Sequence, residues 1–171
     1  MAIIKPNNNT ISAITALPAA ISTGKVLQVV GADTSTEVSS SSTSFVTTGL
    51  TDNITPSSTS NKIFISATLN FRVSGDGDDS IDRSAKVALY RGGTGGTLLS
   101  QKYIGVRNQS STTNSGVQSH MSVAFSFLDN PSTTSETTYM LAMAKLGDGN
   151  PQAQPFNYGS SIVLLEIEGW L

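Results

Sequence analysis

Two long stretches of the sequence alternate between apolar and polar side chains. In residues 62–73 apolar side chains occupy every second position from Ile63 to Val73, and residues 117–128 repeat the pattern. The polar side chains of the first stretch lie between the apolar ones: Ser66, Thr68, Asn70 and Arg72. A period of two places the two sets on opposite faces of a β-strand. Both stretches therefore predict strands with one buried face and one solvated face.

Further short apolar runs are bounded by turn residues. Gly92–Gly96 separates two predicted strands, residues 85–91 and 98–104, and a glycine-rich loop in this position predicts a β-hairpin. The loop lacks the Gly-Lys-Ser/Thr sequence of a phosphate-binding loop. No amphipathic helix pattern follows residue 25, and turn signals recur roughly every 8–14 residues. The sequence predicts an all-β fold, an antiparallel jelly-roll-like β-sandwich over residues 25–171.

Two predicted strands, residues 137–146 and 161–167, are apolar on both faces. A strand on the surface of a monomer is normally solvated on one face. The second apolar face is covered either by loops of the same chain or by a neighbouring subunit. The second alternative assigns a subunit interface to a set of apolar side chains on these strands: Tyr139, Leu141, Met143, Ile162 and Leu164.

The first 24 residues differ from the remainder. They carry no charge between Lys5 and Lys25, and Thr, Ser and Pro interrupt their apolar positions, which is atypical of a signal peptide. A frayed terminus is usually polar, but this segment contains six aliphatic side chains. We therefore expect an extended docking arm over residues 1–24 that lays these side chains on another protein: Ile3, Ile4, Ile11, Ile14, Leu17 and Ile21.

Composition restricts the chemistry open to this chain. It has no cysteine, a single histidine (His120), and a formal net charge of -2. These counts exclude disulfides, thiolate nucleophiles, cysteine-rich zinc sites and multi-histidine metal cages within one chain. A slightly acidic chain argues against nucleic acid or a membrane surface as a partner, and no apolar run is long enough to span a bilayer. His120 falls on a solvated strand face without a Gly-x-Ser-x-Gly motif, so we expect no enzyme activity and no cofactor.

Acidic residues occur in two places that deserve comparison with known sites. Four carboxylates lie between two predicted strands, at Asp76, Asp78, Asp79 and Asp82. Calcium binds such clusters, but the spacing lacks the Glu of an EF-hand, so a solvated loop is expected and calcium binding is left open. Glu166 and Glu168 share one face of the last strand about 7 Å apart. We expect this pair to face solvent or a partner's lysine.

Three stretches resemble a known family. They are residues 24–30 (GKVLQVV), residues 48–63 with the run ITPSSTSNKI, and residues 127–139 (FLDNPSTTSETTY), with LLEI at 164–167 closing the domain. In these turn and strand motifs the chain resembles small β-rich virion proteins of tailed phages. These occur in the tail fibres, appendages and head decorations of marine and cyanobacterial phages in particular. The resemblance spans about residues 24–168 and implies a trimeric, jelly-roll-like virion domain without an active site.

Two functions are compatible with this resemblance. The first is a head decoration (cement) protein on the capsid exterior, a homotrimer whose arms bind the major capsid protein and stabilise the shell. Each arm would contribute on the order of 10 kcal/mol before ordering costs. The short segment before the predicted strands favours this location over a tail fibre, which usually has a long shaft. The alternative is a tail-fibre or appendage tip that binds host glycans through exposed aromatics: Tyr90, Tyr103, Tyr158 and Trp170.

Overall fold

The computed structural model describes residues 25–75, 82–107 and 117–169. Within these ranges the chain forms ten β-strands and one short 3-10 helix at Pro155–Asn157. The strands are β1 (Val26–Thr34), β2 (Val38–Ser39), β3 (Val46–Ile54), β4 (Lys62–Gly75), β5 (Asp82–Arg91), β6 (Thr97–Arg107), β7 (Val117–Asp129), β8 (Thr137–Gly147), β9 (Asn150–Ala153) and β10 (Ser160–Ile167).

The strands form two antiparallel sheets. In the first sheet β1 pairs with β10, β10 pairs with β4, and β7 pairs with the other edge of β4. The short β9 pairs with the end of β4 beyond β10, and β2 pairs with β9. The second sheet has the order β3-β8-β5-β6. Apart from the short β2 and β9 of the six-stranded first sheet, the strand orders 1-10-4-7 and 3-8-5-6 are those of a jelly roll, and the predicted all-β sandwich is confirmed.

The core lies between the inner faces of the two sheets. The alternating apolar side chains of β4 point inward, and Ile63, Ile65, Leu69 and Phe71 are fully buried. They belong to one cluster with inward side chains of the second sheet, among them Leu89 on β5. Burying such a side chain contributes about 1.5–3 kcal/mol to folding, so this cluster is the main source of stability.

The five residues assigned to a subunit interface lie in this core. Tyr139, Leu141, Met143, Ile162 and Leu164 are each 0% exposed within a single chain and belong to the cluster between the sheets. This assignment is corrected, because a side chain with no exposed surface in one chain has none left for a neighbour. These residues lie on β8 and β10, whose inner faces pack against the opposite sheet. The outer faces of the two strands are also apolar, and each has its own environment.

The outer face of β8 is covered by a loop of the same chain. The backbone N–H of Lys145 donates to the carbonyl of Ser42 at 2.7 Å, which holds the loop before β3 against the sheet. Phe45 then packs edge-to-face against Tyr90, with ring centroids 5.5 Å apart, beside Met140. The loop-covered alternative therefore accounts for β8. On β10 the outer apolar side chains, Val163, Leu165 and Ile167, are half-buried.

Two glycine-containing segments adopted different structures. Gly92–Gly96 connects β5 and β6 as the predicted hairpin, and Gly92 has the positive φ, 80°, that the tight turn requires. Gly49, by contrast, lies within β3, which continues through it. Its φ of 81° accompanies a shift in register between Thr47 and Thr51. A positive-φ glycine can bulge a strand as well as end it.

Several predicted features lie outside the described residues: the docking arm, Trp170, and Asp76, Asp78 and Asp79 of the acidic loop. Asp82 begins β5. Among the residues that are described, no group of three or more His, Cys, Asp or Glu side chains is placed to hold a metal ion. No helix within the same ranges is long and apolar enough to cross a membrane.

Candidate functional site

An apolar row crosses the outer face of the first sheet. The register places Val29 of β1 opposite Leu165 of β10, Leu165 opposite Phe64 of β4, and Phe64 opposite Leu128 of β7. Paired residues in an antiparallel sheet share a face, so the four side chains form one continuous line across four strands. Val29 is 61% exposed and Leu128 is 50% exposed. We call these four residues the apolar row.

The apolar row lies at the end of the sandwich where residues 1–24 join the body. Val26, at the start of β1, pairs with Ile167 and extends the apolar surface toward this end. Lys25 is anchored there because its carbonyl accepts a hydrogen bond from the backbone N–H of Glu168 at 2.9 Å. The apolar row therefore lies near Lys25, the first described residue after the expected docking arm in the chain.

The sequence contains one indication of this row: large apolar residues at strand positions that should face solvent. Phe64 and Leu128 occupy positions that alternation assigns to the solvated faces of β4 and β7. Large apolar residues at such positions indicate a surface that is covered by something else. The row could not be assembled from the sequence, because the pairing of β1 with β10 and of β10 with β4 was needed to align it.

A pocket with an aromatic rim lies at the opposite end of the same outer face. Its volume is about 420 Å³. Strand residues from β4 and β7 form its floor, and the segment after β9 forms one wall. We call this the aromatic pocket; its lining residues are Asn70, Phe71, His120, Met121, Ser122, Pro155, Phe156 and Tyr158. Arg72, beside the pocket, is eight positions after Phe64 of the apolar row on β4, a distance of about 27 Å along a strand.

The aromatic wall is held by an unusual backbone. Gln154, Phe156 and Asn157 all have positive φ, between 50° and 60°, a conformation that non-glycine residues rarely adopt. Gln154 anchors the segment: it is fully buried, and its backbone N–H donates to the carbonyl of Asn70 at 2.9 Å. Its side-chain amide, oriented to satisfy its neighbours, donates to the carbonyls of Thr36 and Thr48. Backbone strain maintained by such anchors is concentrated at functional sites.

The rings in the pocket contact one another. His120 stacks on Phe156 with centroids 5.4 Å apart and planes inclined by 19°, and Tyr158 meets Phe156 edge-on at 6.3 Å. The guanidinium carbon of Arg72, which pairs with His120 across the strands, lies 5.3 Å from the Phe156 centroid. Phe156 and Tyr158 nevertheless remain 62% and 61% exposed. The chain thus presents two fixed aromatic side chains to solvent.

The residues proposed from sequence as glycan-binding aromatics have different environments. Tyr158 lies on the pocket, and Tyr103 is exposed on β6 in the other sheet. Tyr90 is only 7% exposed and packs under Phe45, so its assignment to a binding surface is corrected. His120 lies on the solvated face, as its periodicity predicted. Phe156 was missed because a single aromatic between Pro155 and Asn157 carries no periodic signal.

Glu166 is the centre of a buried polar cluster. It is 2% exposed, and its Oε1 accepts hydrogen bonds from the backbone N–H of Ser57 at 2.6 Å, the Ser57 hydroxyl at 2.8 Å and the Asn61 amide at 2.6 Å. The expectation that Glu166 faces solvent or a partner's lysine is therefore wrong. Burial alone would raise the pKa of Glu166, but the hydrogen bonds from Asn61 and Ser57 outweigh burial and hold it below its ordinary value.

Replacement of Glu166 is predicted to reveal this cluster through its pH dependence. A Glu166→Leu variant leaves the donors of Ser57 and Asn61 unpaired and should lower the free energy of unfolding by about 2–3 kcal/mol at pH 7. Because the folded-state pKa is lowered, the carboxylate's contribution is present above its unfolded pKa and is lost as pH falls through the folded value. Thermal unfolding measures this effect. The difference in unfolding temperature between Glu166→Leu and the original protein should be smaller at about pH 3 than at pH 7.

The matched control for this experiment is Glu168→Leu, which removes a carboxylate just beyond the end of β10. We expect its unfolding temperature to stay close to that of the original protein at both pH values. If Glu166→Leu lowers the unfolding temperature by the same amount at neutral and acidic pH, the stabilising role given to the carboxylate is contradicted.

No protein-family model matches the sequence, and no curated protein matches it. Among solved structures, the chain is similar to VP2 in a subviral particle of infectious bursal disease virus, with a TM-score of 0.38 and 18% identity, covering 84% of this chain and 34% of that chain. A second similar structure is that of the Gt strain of infectious bursal disease virus, with a TM-score of 0.32 and 14% identity, covering 85% of this chain and 39% of that chain. The chain thus spans well under half the length of these neighbours.

Proposed function

We propose that the chain is a structural protein of a virion: a trimeric head decoration protein that binds the exterior of a phage capsid and stabilises it. The observation that carries this proposal is the position of the apolar row at the end where residues 1–24 join β1 at Lys25. Jelly rolls occur in viral capsid domains, lectins and cupins, so the fold alone does not select among these functions. The choice among these functions rests on the apolar surface formed by the row.

The apolar row is too small to hold a partner by itself. Its four side chains span three strand spacings, about 14 Å. A stable protein interface buries about 800 Å² on each partner, which is several times the area of such a row. In this proposal residues 1–24, which precede Lys25 in the chain, supply the remaining apolar surface through their six aliphatic side chains. One partner with an apolar, uncharged groove would cover both, and we assign this role to the major capsid protein.

Trimerisation would strengthen this attachment without new contacts. Three arms carried by one trimer reach neighbouring sites at a high effective concentration, so each contact needs only modest affinity. The opposite outer end of the first sheet, with the aromatic pocket, would then face away from the shell. The motifs at residues 24–30, 48–63 and 127–139, which resemble small virion proteins of tailed phages, support the same role.

Deletion of residues 2–22 tests the docking arm. We expect the truncated protein to remain folded with an unchanged unfolding temperature and to sediment as a trimer of the shorter chain. Its binding to purified capsids that lack this protein should fall by at least about 100-fold, since the deletion removes most of the proposed apolar contact. Cosedimentation of capsids with labelled protein measures the loss. Unchanged binding after the deletion would reject the arm.

A second variant tests the apolar row in the full-length chain. Val29→Ser combined with Leu128→Ser removes two exposed apolar side chains, and we expect weaker capsid binding with an intact trimer. A matched control, Leu98→Ser, changes an exposed leucine on the other sheet and should bind normally. If the row variant instead dissociates the trimer and its subunits still bind capsids, the row contacts a second copy and not the shell.

The alternative location, a tail-fibre or appendage tip that binds host glycans, is favoured by one observation, the aromatic pocket. The copy number of the chain in purified particles separates the two locations. A decoration protein is present in numbers comparable with the capsid subunits, and a fibre tip in far fewer copies. Quantitative mass spectrometry of the intact particle measures this ratio directly.

A further inference from the structure

The aromatic pocket combines exposure with backbone strain. Phe156 is 62% exposed although burial of such a ring would stabilise the folded chain, and its φ of 57° is unfavourable for a bulky side chain. Neither feature stabilises the folded chain. We propose that this pocket is a saccharide-binding site, in which a sugar ring stacks on Phe156 and contacts Tyr158 while polar side chains of β4 and β7 bind its hydroxyl groups.

The aromatic platform is fixed before any ligand arrives. His120 and Arg72 contact the Phe156 ring, and the backbone N–H of Phe156 donates to a carboxylate oxygen of Glu37 at 3.0 Å. The backbone N–H of Tyr158 donates to the carbonyl of Pro155 at 3.2 Å. A rigid platform reduces the entropy lost on binding, which matters for a weak ligand such as a single sugar.

Polar groups stand at the floor of the pocket beside the rings. The Ser122 hydroxyl donates to Oδ1 of Asn70 at 2.9 Å, so its oxygen lone pairs remain able to accept. The Asn70 amide nitrogen donates to the carbonyl of Gly159, and its second hydrogen remains able to donate. An acceptor and a donor therefore lie next to the aromatic wall.

This arrangement fits the chemistry of a sugar. A pyranose ring exposes C–H groups on its faces and hydroxyl groups around its edge, so it needs an apolar ring surface flanked by a few donors and acceptors. A largely apolar pocket with a few placed polar groups is the general form of small-ligand sites, and the volume of about 420 Å³ lies in their usual range. A protein partner would need about 800 Å² of contact, far more than this pocket offers.

The site does not depend on the proposed attachment to a capsid. The pocket and the apolar row lie at opposite ends of the outer face, so the isolated protein should bind sugar whether or not it binds a shell. Loss of capsid binding in the arm deletion and loss of sugar binding in a pocket variant are therefore separate results.

Saturation-transfer NMR on the full-length protein tests the proposal. The probes are maltose, lactose, cellobiose and chitobiose, each at about 10 mM, where millimolar affinities are detectable. A second arm uses purified lipopolysaccharide and capsular polysaccharide separately, which identifies the carrier of the recognised sugar. We expect saturation transfer to the ring protons of at least one probe and about tenfold or greater loss of affinity in Phe156→Asn. Asparagine keeps the positive φ accessible, so this variant should fold normally.

The matched control is Tyr103→Ala, which removes an exposed aromatic from the other sheet. It should bind the same sugar as the original protein. Binding to none of the free or polymeric probes would overturn the proposal, and so would a signal that persists unchanged in Phe156→Asn.

Discussion

Replacement of Asp129 by alanine should lower the free energy of unfolding by about 3–4 kcal/mol, although the residue lies at the end of a strand. Its carboxylate joins two sheets. The hydroxyl of Tyr139 on β8 donates to Oδ2 at 2.7 Å, and Nη1 of Arg91 on β5 lies 3.1 Å and 2.9 Å from the two carboxylate oxygens. Burial, together with the adjacent Asp129 carboxylate, raises the pKa of Tyr139 well above its ordinary value, so the hydroxyl remains a donor.

The energetic cost arises mainly at Tyr139. This side chain is 0% exposed, so loss of its acceptor leaves a buried hydroxyl unpaired, whereas Arg91 is 26% exposed and can be hydrated. Chemical denaturation measures the change. Tyr139→Phe is the matched control: it removes the donor and keeps the ring, and it should cost only about 1 kcal/mol. An Asp129→Ala variant no less stable than Tyr139→Phe would contradict this account.

Leu141→Ala should be at least as destabilising, by about 3–5 kcal/mol, and the loss should be independent of protein concentration. Leu141 is 0% exposed at the centre of the cluster between the sheets, so truncation leaves a cavity within one chain. Had this residue been part of a subunit interface, as its strand pattern allowed, dilution would lower the unfolding temperature further. Thermal unfolding over a range of protein concentrations distinguishes a core position of Leu141 from a position in a subunit interface.

The matched control is Leu98→Ala, the same substitution at a residue that is 47% exposed on β6. We expect a change of less than about 1 kcal/mol for this variant. If Leu141→Ala instead dissociates an oligomer and its subunits keep their unfolding temperature, the placement of Leu141 in the core is incorrect.

Periodicity was sufficient to predict the long strands and the fold class. The expected stretches at residues 62–73 and 117–128 correspond to β4 and β7, because each strand has one face against the core over its whole length. It failed for β8 and β10, whose two apolar faces did not reveal which set points inward. That choice depends on the pairing of each strand and on the loop carrying Phe45, and neither has a local sequence signal.

The candidate sites were less accessible to prediction than the fold. Alternation placed His120 on the solvated face correctly, but its neighbour across the sheet, Arg72, and the ring above it, Phe156, come from segments far apart in the chain. Glu166 appeared to be a surface carboxylate because its hydrogen-bond donors, Ser57 and Asn61, are more than 100 residues away. A site assembled from distant segments becomes visible only when the strand order is known.

The position of β10 has a consequence for the synthesis of this protein. β10 lies between β1 and β4, and it pairs Val26 with Ile167 and Ile63 with Glu166. The ribosome therefore releases β1 and β4 long before the strand that joins them exists. During that interval the edge of β4 that pairs with β10 has unpaired backbone N–H and C=O groups, and such an edge favours aggregation. Closure of the first sheet should be a slow, late step because it requires contacts between the two ends of the folded chain.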